Sequence, residues 1–221
     1  MLHANGLGAP LTAPEPERSV PSSWYAAKRT LDLAIGSVAL VFSLPVVAIA
    51  AIAVVAVDRG NPFFAQERVG KGGRPFRMFK LRTMVRGAHD MRAQLQHMNE
   101  VSGPVFKIRN DPRLHAIGGL LRRTSIDELP NLLNVLRGEM SLVGPRPPLA
   151  AEVAHYDGYA MQRLRVKPGI TCLWQISGRS NVSFDDWMRM DHQYIETWTP
   201  LTDVKILLAT VPAVLRKEGA H

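Results

Sequence analysis

Cysteine is almost absent from this chain. The single copy, Cys172, excludes an internal disulfide and fits a reducing compartment. Metal-ligand spacing is missing too, because the seven histidines are scattered with no pair at such a spacing. Gly70-Lys71-Gly72-Gly73 lacks the GxxxxGK[ST] pattern, which excludes a phosphate-binding P-loop there. No basic segment leads directly into an apolar core with a cleavage site. Residues 1–23, rich in Pro, Gly, Ala and Ser, therefore read as a flexible tail and not as a signal peptide. Acidic residues are in deficit: 19 Asp and Glu face 27 Lys and Arg, for a formal net charge of +8. That balance calls for an anionic partner: nucleic acid, anionic lipid or a phosphorylated substrate. No aromatic-basic RNA motif or helix-turn-helix pattern is visible. This argues against nucleic acid, and against a membrane-tethered basic binding protein without catalysis.

What is present begins with LDLAIGSVALVFSLPVVAIAAIAVVAV, residues 31–57, preceded by Lys28 and Arg29. Its only charge is Asp32, one turn after Lys28, where the two can pair on a helix. The block exceeds the roughly 20 residues needed to cross a bilayer, so one reading is a single transmembrane helix. Two features favour another. Pro45 sits mid-segment, where it removes a backbone hydrogen bond and kinks a helix. Both flanks are basic, with seven Lys and Arg against one Glu from Arg59 to Arg82. The excess of positive charge on both sides favours two cytoplasmic ends. Each half is roughly 20 Å long at 1.5 Å per residue, too short for a hydrocarbon core of about 30 Å. The second reading is a V-shaped helix dipping into one leaflet.

Two β-like runs flank the glycine cluster, in PFFAQERV and RPFRMFKLRTM, and predict a hairpin with Lys80 and Arg82 on its second strand. Residues 87–100 are helix-like and polar, and Asn110-Asp111-Pro112-Arg113 is a turn signal. Lys167-Pro168-Gly169-Ile170-Thr171 reads as a turn into a β-like run, CLWQISGR. Asp185 to Trp198 is helix-like, with Trp187, Met190, Tyr194 and Trp198 on roughly one face. Residues 201–217, apolar but holding Asp203, Lys205 and Pro212, fit a core helix or an interfacial amphipathic one.

The chemistry concentrates in LLRRTSIDELPNLLNVLRGEMSLVGPRPP, residues 120–148. Ser125 with Glu128 matches a helix capping box, and Asp127 can itself be a cap. Pro130 places the helix start here, Leu129, Leu132, Leu133 and Leu136 form a stripe, and Gly138 suits the stop. The surroundings support a second reading. A helix N-terminus attracts phosphate, and Arg122, Arg123 and Arg146 add guanidinium forks suited to phosphate oxygens. A carboxylate in that field stays ionised, can attack as a nucleophile, and can ligate Mg²⁺ beside substrate phosphates. The proline-rich loop Gly144–Pro148 can hold Arg146 in place.

In order, KRTLDL, the Pro-interrupted apolar helix, FFAQERVGKGGRPFRMFKLRTM, NDPRL, the 120–148 motif, VKPGITCLWQISGR and DVKILLATVP resemble the bacterial sugar transferases known as monotopic phosphoglycosyl transferases. The resemblance runs from about Lys28 to Leu215. It implies transfer of a sugar 1-phosphate from a UDP-sugar to a polyprenyl phosphate, usually undecaprenyl phosphate. The products are a polyprenyl-diphosphate sugar and UMP, Mg²⁺ is required, and the pathway is priming of exopolysaccharide or O-antigen-type glycans. By motif position, Asp127 would be the nucleophile and Glu128 its metal-binding partner. Arg122 and Arg146 match phosphate-binding arginines, and Lys80 matches a lysine of the active-site region. Pro45 matches the break of a re-entrant helix. The implied fold class is α/β (α+β): a tail at 1–23, a re-entrant membrane helix at 24–60 kinked at Pro45, and a cytosolic catalytic domain at 61–221. That domain would hold a short hairpin or sheet and amphipathic interfacial helices, on the cytoplasmic face of the bacterial inner membrane. The chain is similar to short, exopolysaccharide-type members. Self-association into a homo-oligomer and the identity of the sugar stay open. Two departures stand out: Leu44 precedes Pro45 where Ser is common, with Ser43 one residue earlier, and Cys172 stands where glycine is common.

Overall fold

The apolar block folds as one long helix, α1 (Ser22–Asp58), which continues through Pro45. The structure is a computed structural model that describes residues 19–100, 103–177 and 182–216. Pro45 contributes no N–H to the helix ladder. Ser43 does not substitute for that missing donor; its hydroxyl donates to the Leu40 carbonyl at 2.8 Å. Val38, Val41, Phe42, Ile49 and Ile52 recur at helical spacing and lie exposed, Phe42 at 78% and Ile52 at 70%. They form a continuous apolar stripe on the side of α1 turned away from the rest of the protein.

The polar residues of α1 tie it down, though not as the spacing predicts. Lys28 and Asp32 do not pair with each other. Lys28 Nζ reaches Asp203 Oδ2 at 2.5 Å and the Val143 carbonyl at 3.0 Å. Asp32 is buried and accepts from Ser141 Oγ and Leu142 N, both at 2.9 Å. The long-range partners satisfy Lys28 and Asp32 where packing of α1 against the body takes both out of water. Arg29 donates to the Val135 and Leu136 carbonyls at 2.7 and 2.8 Å. These are end carbonyls of a short helix, α3 (Leu132–Arg137), where a cation also meets the negative end of the helix dipole. At the other end of α1, Asp58 pairs with Arg82 at 3.0 Å. Ala50 and Val54 pack with Leu81 and Leu121. Both ends of α1 are thus fastened to the same body.

That body is α+β. The predicted hairpin forms: β1 (Phe63–Val69) pairs antiparallel with β2 (Pro75–Leu81), from Phe63 opposite Leu81 to Val69 opposite Pro75. Gly72 and Gly73, with φ of 67° and 76°, make the turn in a region that side chains disfavour. A second sheet is parallel and minimal: β3 (Ser141–Val143) against β4 (Gly169–Thr171). A Cβ at Gly169 would fall 2.1 Å from the Gly144 nitrogen, so only glycine permits this approach. The core between the hairpin, α3, β3 and two C-terminal helices holds Phe76, Met78, Leu132, Val135, Met140, Leu142, Tyr194, Trp198 and Ile206. Those helices are α7 (Phe184–Thr197) and α8 (Pro200–Arg216); the shorter ones are α2 (Gly118–Arg123), ahead of α3, and α4 (Ala150–Val153), α5 (Gly158–Met161) and α6 (Leu173–Ile176), after it.

Two sequence expectations are corrected. CLWQI does not extend β4 but forms a short helix at Leu173–Ile176, because β3 ends at Val143 and offers no further edge to pair with. Residues 178–181 lie outside the described residues. The polar stretch 87–100 makes only two single 3-10 turns, at Asp90–Arg92 and Gln96–Met98. Its composition lacks an apolar stripe to bury. The predicted aromatic face of α7 is mostly core, with Trp187, Tyr194 and Trp198 buried. α8 is amphipathic: Asp203 and Ile206 are buried, while Leu201, Leu208 and Val211 are exposed.

Candidate active site

Asp127 and Glu128 sit on a 3-10 turn, Ile126–Asn131, that leads directly into α3. The expected capping box is not formed. Ser125 lies in the left-handed region at φ 57°, the only non-glycine residue with positive φ among the described residues. Its side chain makes no cap hydrogen bond, and its carbonyl accepts from Glu128 N at 3.2 Å. With the backbone so turned, the Glu128 side chain points to the hairpin, where Lys80 Nζ donates to Oε1 at 2.6 Å. A residue held in left-handed backbone beside two carboxylates is strain of the kind that collects at functional sites.

The two carboxylates differ in environment. Burial pushes Asp127 up to about 6, with adjacent Glu128 adding to the rise and Lys80 and Arg122 opposing it. Desolvation outweighs the cationic field, yet at about 6 the carboxyl is still mostly ionised at neutral pH, as the sequence reading expects. For Glu128 the order reverses. Burial raises it, but contact with Lys80, aided by Arg146 and Arg68, outweighs that and leaves it below its ordinary value. One carboxyl is thus basic and poised, while the other stays firmly anionic.

Of the predicted cations, Lys80, Arg122 and Arg146 converge on this pair, whereas Arg123 lies exposed. Arg122, on the short helix α2 (Gly118–Arg123), donates from Nε to Thr83 Oγ1 at 3.1 Å and feels Asp127. Arg146 rises from the proline loop with its guanidinium over the Trp187 ring at 5.7 Å, and its charge reaches Glu128. Two further cations belong to the cluster that sequence reasoning missed. Arg68 on β1 is buried and is pushed down to about 9 by that burial and by Arg146, with Glu152 and Glu128 opposing. Lys107 is pushed down to about 8 by burial and by Arg146 and Arg122. The strand alternation of FFAQERV contained a signal for Arg68, since it falls on the same face as Gln66. Nothing periodic marks Lys107. Pro45 is not part of this cluster. It lies on α1 just ahead of Val47, Ala50 and Ala51, which pack in one apolar cluster with Ile126, the neighbour of Asp127. The carboxylates therefore stand directly behind the apolar helix.

Among the described residues no three His, Cys, Asp or Glu side chains group as a metal cage. Two adjacent carboxylates without a cage suit Mg²⁺, which commonly takes one or two carboxylates together with substrate phosphates and water. Asp127 and Glu128 would hold it.

Comparison with known proteins finds relatives along most of the chain. The model of the bacterial sugar transferase family matches residues 23–217. The chain is 45% identical over 199 residues to the galactosyl transferase CpsE of Streptococcus agalactiae, covering 90% of this chain and 44% of that protein. It is 38% identical to the exopolysaccharide production protein ExoY of Rhizobium meliloti, covering 96% of each. It is 39% identical to the UDP-glucose:undecaprenyl-phosphate glucose-1-phosphate transferase of Caulobacter vibrioides, covering 88% of this chain and 72% of that one. The chain thus spans less than half of CpsE and nearly all of ExoY. With the motif order, the carboxylate pair and its cations all inside the matched span, the chain belongs to the bacterial sugar transferase family.

Proposed function

We propose that this protein transfers a sugar 1-phosphate from a UDP-sugar to a polyprenyl phosphate, such as undecaprenyl phosphate, and releases UMP. The observation that carries the reading is the buried Asp127, raised to about 6 beside Lys80 and Arg122, with Glu128 beside Lys80, Arg146 and Arg68, and Lys107 next to Arg146 and Arg122. So many cations around two carboxylates leave an excess of positive charge that a diphosphate would neutralise. The names of CpsE and the Caulobacter relative point the same way, to hexosyl transfer and to a lipid phosphate acceptor.

The chemistry follows from the two carboxyl environments. Asp127 Oδ attacks the phosphorus that bears the sugar, forming an aspartyl P–O bond as the bond to the UMP phosphate breaks. The electron pair leaves on UMP, and Lys80, Arg122 and Arg146 stabilise the charge on the transferring and leaving oxygens. An oxygen of the polyprenyl phosphate then attacks the same phosphorus. The aspartyl bond breaks, Asp127 returns as a carboxylate, and the lipid leaves as a diphosphate-linked sugar. Mg²⁺, held by Glu128 and Asp127 with the substrate phosphates, would supply further charge neutralisation.

The acceptor is a lipid, and the site backs onto α1. A helix fastened at both ends to one body has its two ends on the same side of a membrane, which supports the re-entrant reading. The exposed stripe of α1 and the exposed Leu201, Leu208 and Val211 of α8 would enter the apolar layer. A nucleotide-sugar donor places the catalytic side on the cytoplasmic face of the inner membrane.

The test is nucleotide release in nanodiscs with Mg²⁺, undecaprenyl phosphate and a panel of UDP-sugars, including UDP-glucose and UDP-galactose. UMP from one donor, with multiple turnovers only when lipid is present, is the expected result. UDP in place of UMP would mean that only the sugar moves and would reject the scheme. The same assay carries a pH prediction. Attack needs ionised Asp127, so kcat/KM should fall with slope one as pH drops through about 6. A profile flat from pH 5 to 8 would remove Asp127 from the attacking role.

A further inference from the structure

The Gly144–Pro148 loop that presents Arg146 has few hydrogen-bond donors of its own. Pro145, Pro147 and Pro148 carry no N–H, so the loop is fixed mainly through its carbonyls. Four successive carbonyls are bonded, each by a different donor. Gly169 N donates to Pro145 O at 2.9 Å, and Val69 N to Pro148 O at 2.9 Å. Between them, Arg163 Nη2 donates to Arg146 O at 3.0 Å, and Arg68 Nη1 to Pro147 O at 3.0 Å. The two central donors are guanidiniums from distant parts of the chain.

Both are deeply buried, Arg163 at 2% and Arg68 at 5% exposure. A buried guanidinium is costly unless its donors are met. Arg163 has partners on three sides, Asp191 at 2.6 Å, the Tyr156 hydroxyl at 2.7 Å and the Arg146 carbonyl, while its Nε has none among the described residues. It also lies over the Trp187 ring at 4.8 Å, the ring that Arg146 covers at 5.7 Å. Arg68 adds a bond to Gln66 Oε1 at 2.7 Å. Each donates to the backbone of a loop whose own side chain is a third cation. Gathering like charges around a loop is unfavourable, and here Asp191 beside Arg163 and Glu152 and Glu128 near Arg68 offset it.

We propose that Arg163 is a positioning residue for Arg146, gripping its carbonyl so that the guanidinium stays aimed at the substrate phosphates, with Arg68 as the second jaw of the clamp. This rests on the reading of Arg146 as a phosphate-binding group. Arg163 touches no reacting atom and acts only through the loop.

A double-variant cycle on the full chain in nanodiscs tests it, with kcat/KM for the UDP-sugar and the melting temperature both measured. Arg163→Lys keeps a charge opposite Asp191, but a compact ammonium cannot serve three acceptors with the geometry of a guanidinium fork. It should lower the melting temperature, because a buried acceptor loses its donor, but stay folded and lose about tenfold in kcat/KM, the loss appearing mainly in kcat. In an Arg146→Lys background, whose residual rate remains measurable, Arg163→Lys should change the rate less than twofold, because its effect is already spent. Equal losses in both backgrounds, or no loss in either, would overturn the clamp. Full activity of Arg146→Lys alone would instead overturn the phosphate-binding reading of Arg146, and the clamp with it. If Arg163→Lys fails to fold, Arg68→Lys takes its place in the same cycle at Pro147.

Discussion

Asp127→Asn should give a protein that does not turn over and is more stable than the parent at neutral pH. The activity loss is expected to exceed ~10³-fold, because the amide cannot form the phosphosugar bond and the neighbouring Glu128 is already engaged by Lys80. The stability gain comes from the same burial that makes the carboxyl reactive. A carboxyl raised from 3.8 to about 6 is favoured in its neutral form by the folded state. Its contribution to stability is present below pH 3.8 and is lost as pH rises through about 6. At pH 7.5 the folded parent carries a desolvated charge that the Asn variant lacks. Two pKa units correspond to about 3 kcal/mol, or a melting temperature higher by roughly 6 °C or more in a chain of this size. The gain should shrink toward zero near pH 4. A capping role predicts almost no change at either pH, since Asn caps a helix about as well as Asp. Melting curves at pH 4 and pH 7.5, with UMP release at the higher pH, separate the two. Retained turnover, or a melting temperature no higher than the parent's at pH 7.5, would sink the assignment.

What the sequence made legible was local. The hairpin followed from two alternating runs around Gly70–Gly73, and α1 from an unbroken apolar block. Asp127, Glu128, Lys80, Arg122 and Arg146 were legible as a motif, and the structure brings them into one electrostatic cluster. What stayed hidden was long range. Lys28 and Asp32 stand four residues apart, and local spacing pairs them, yet their partners Asp203 and Ser141 lie more than 100 residues away. Ser125 and Glu128 fit a capping box by type, but the left-handed backbone at Ser125 turns Glu128 toward Lys80. Arg163 sits in a basic run, QRLRVK, whose composition reads as solvated surface. Its burial depends on Asp191 from α7 and on the carbonyl of a loop, neither of which leaves a mark near it in the sequence.

Asn134 shows the same gap, and its replacement should be the most damaging change away from the reacting groups. Asn134 lies within the motif LPNLLNVLRGEM and on α3, where the pattern gives it no evident task. In the structure it is fully buried and splices the hairpin to α3. Its Oδ1 accepts from Phe79 N at 3.1 Å, and its Nδ2 donates to the Arg77 carbonyl and to Glu139 Oε2, both at 2.7 Å. The strand edge it serves is the one that carries Lys80. Asn134→Leu keeps the branching and the number of heavy atoms but leaves a backbone N–H, a backbone carbonyl and a carboxylate without partners. The expected cost is about 3 kcal/mol or more. Asn134→Asp keeps the shape and the bond from Phe79, but sets an anion against the Arg77 carbonyl and the Glu139 carboxylate. It should be as damaging at pH 7.5 and recover as pH falls. A neutral carboxyl at 134 can donate again, and a carboxyl whose folded-state pKa is raised adds its stability at the acid end. Leu has no proton to gain and should not recover. For both variants, turnover at a temperature where the protein remains folded should drop as well, because β2 shifts and Lys80 loses its hold on Glu128. Melting curves against pH for the two variants decide the matter. A Leu variant as stable as the parent, or an Asp variant that gains nothing in acid, would mean that the hairpin is held to α3 by packing and not by this side chain.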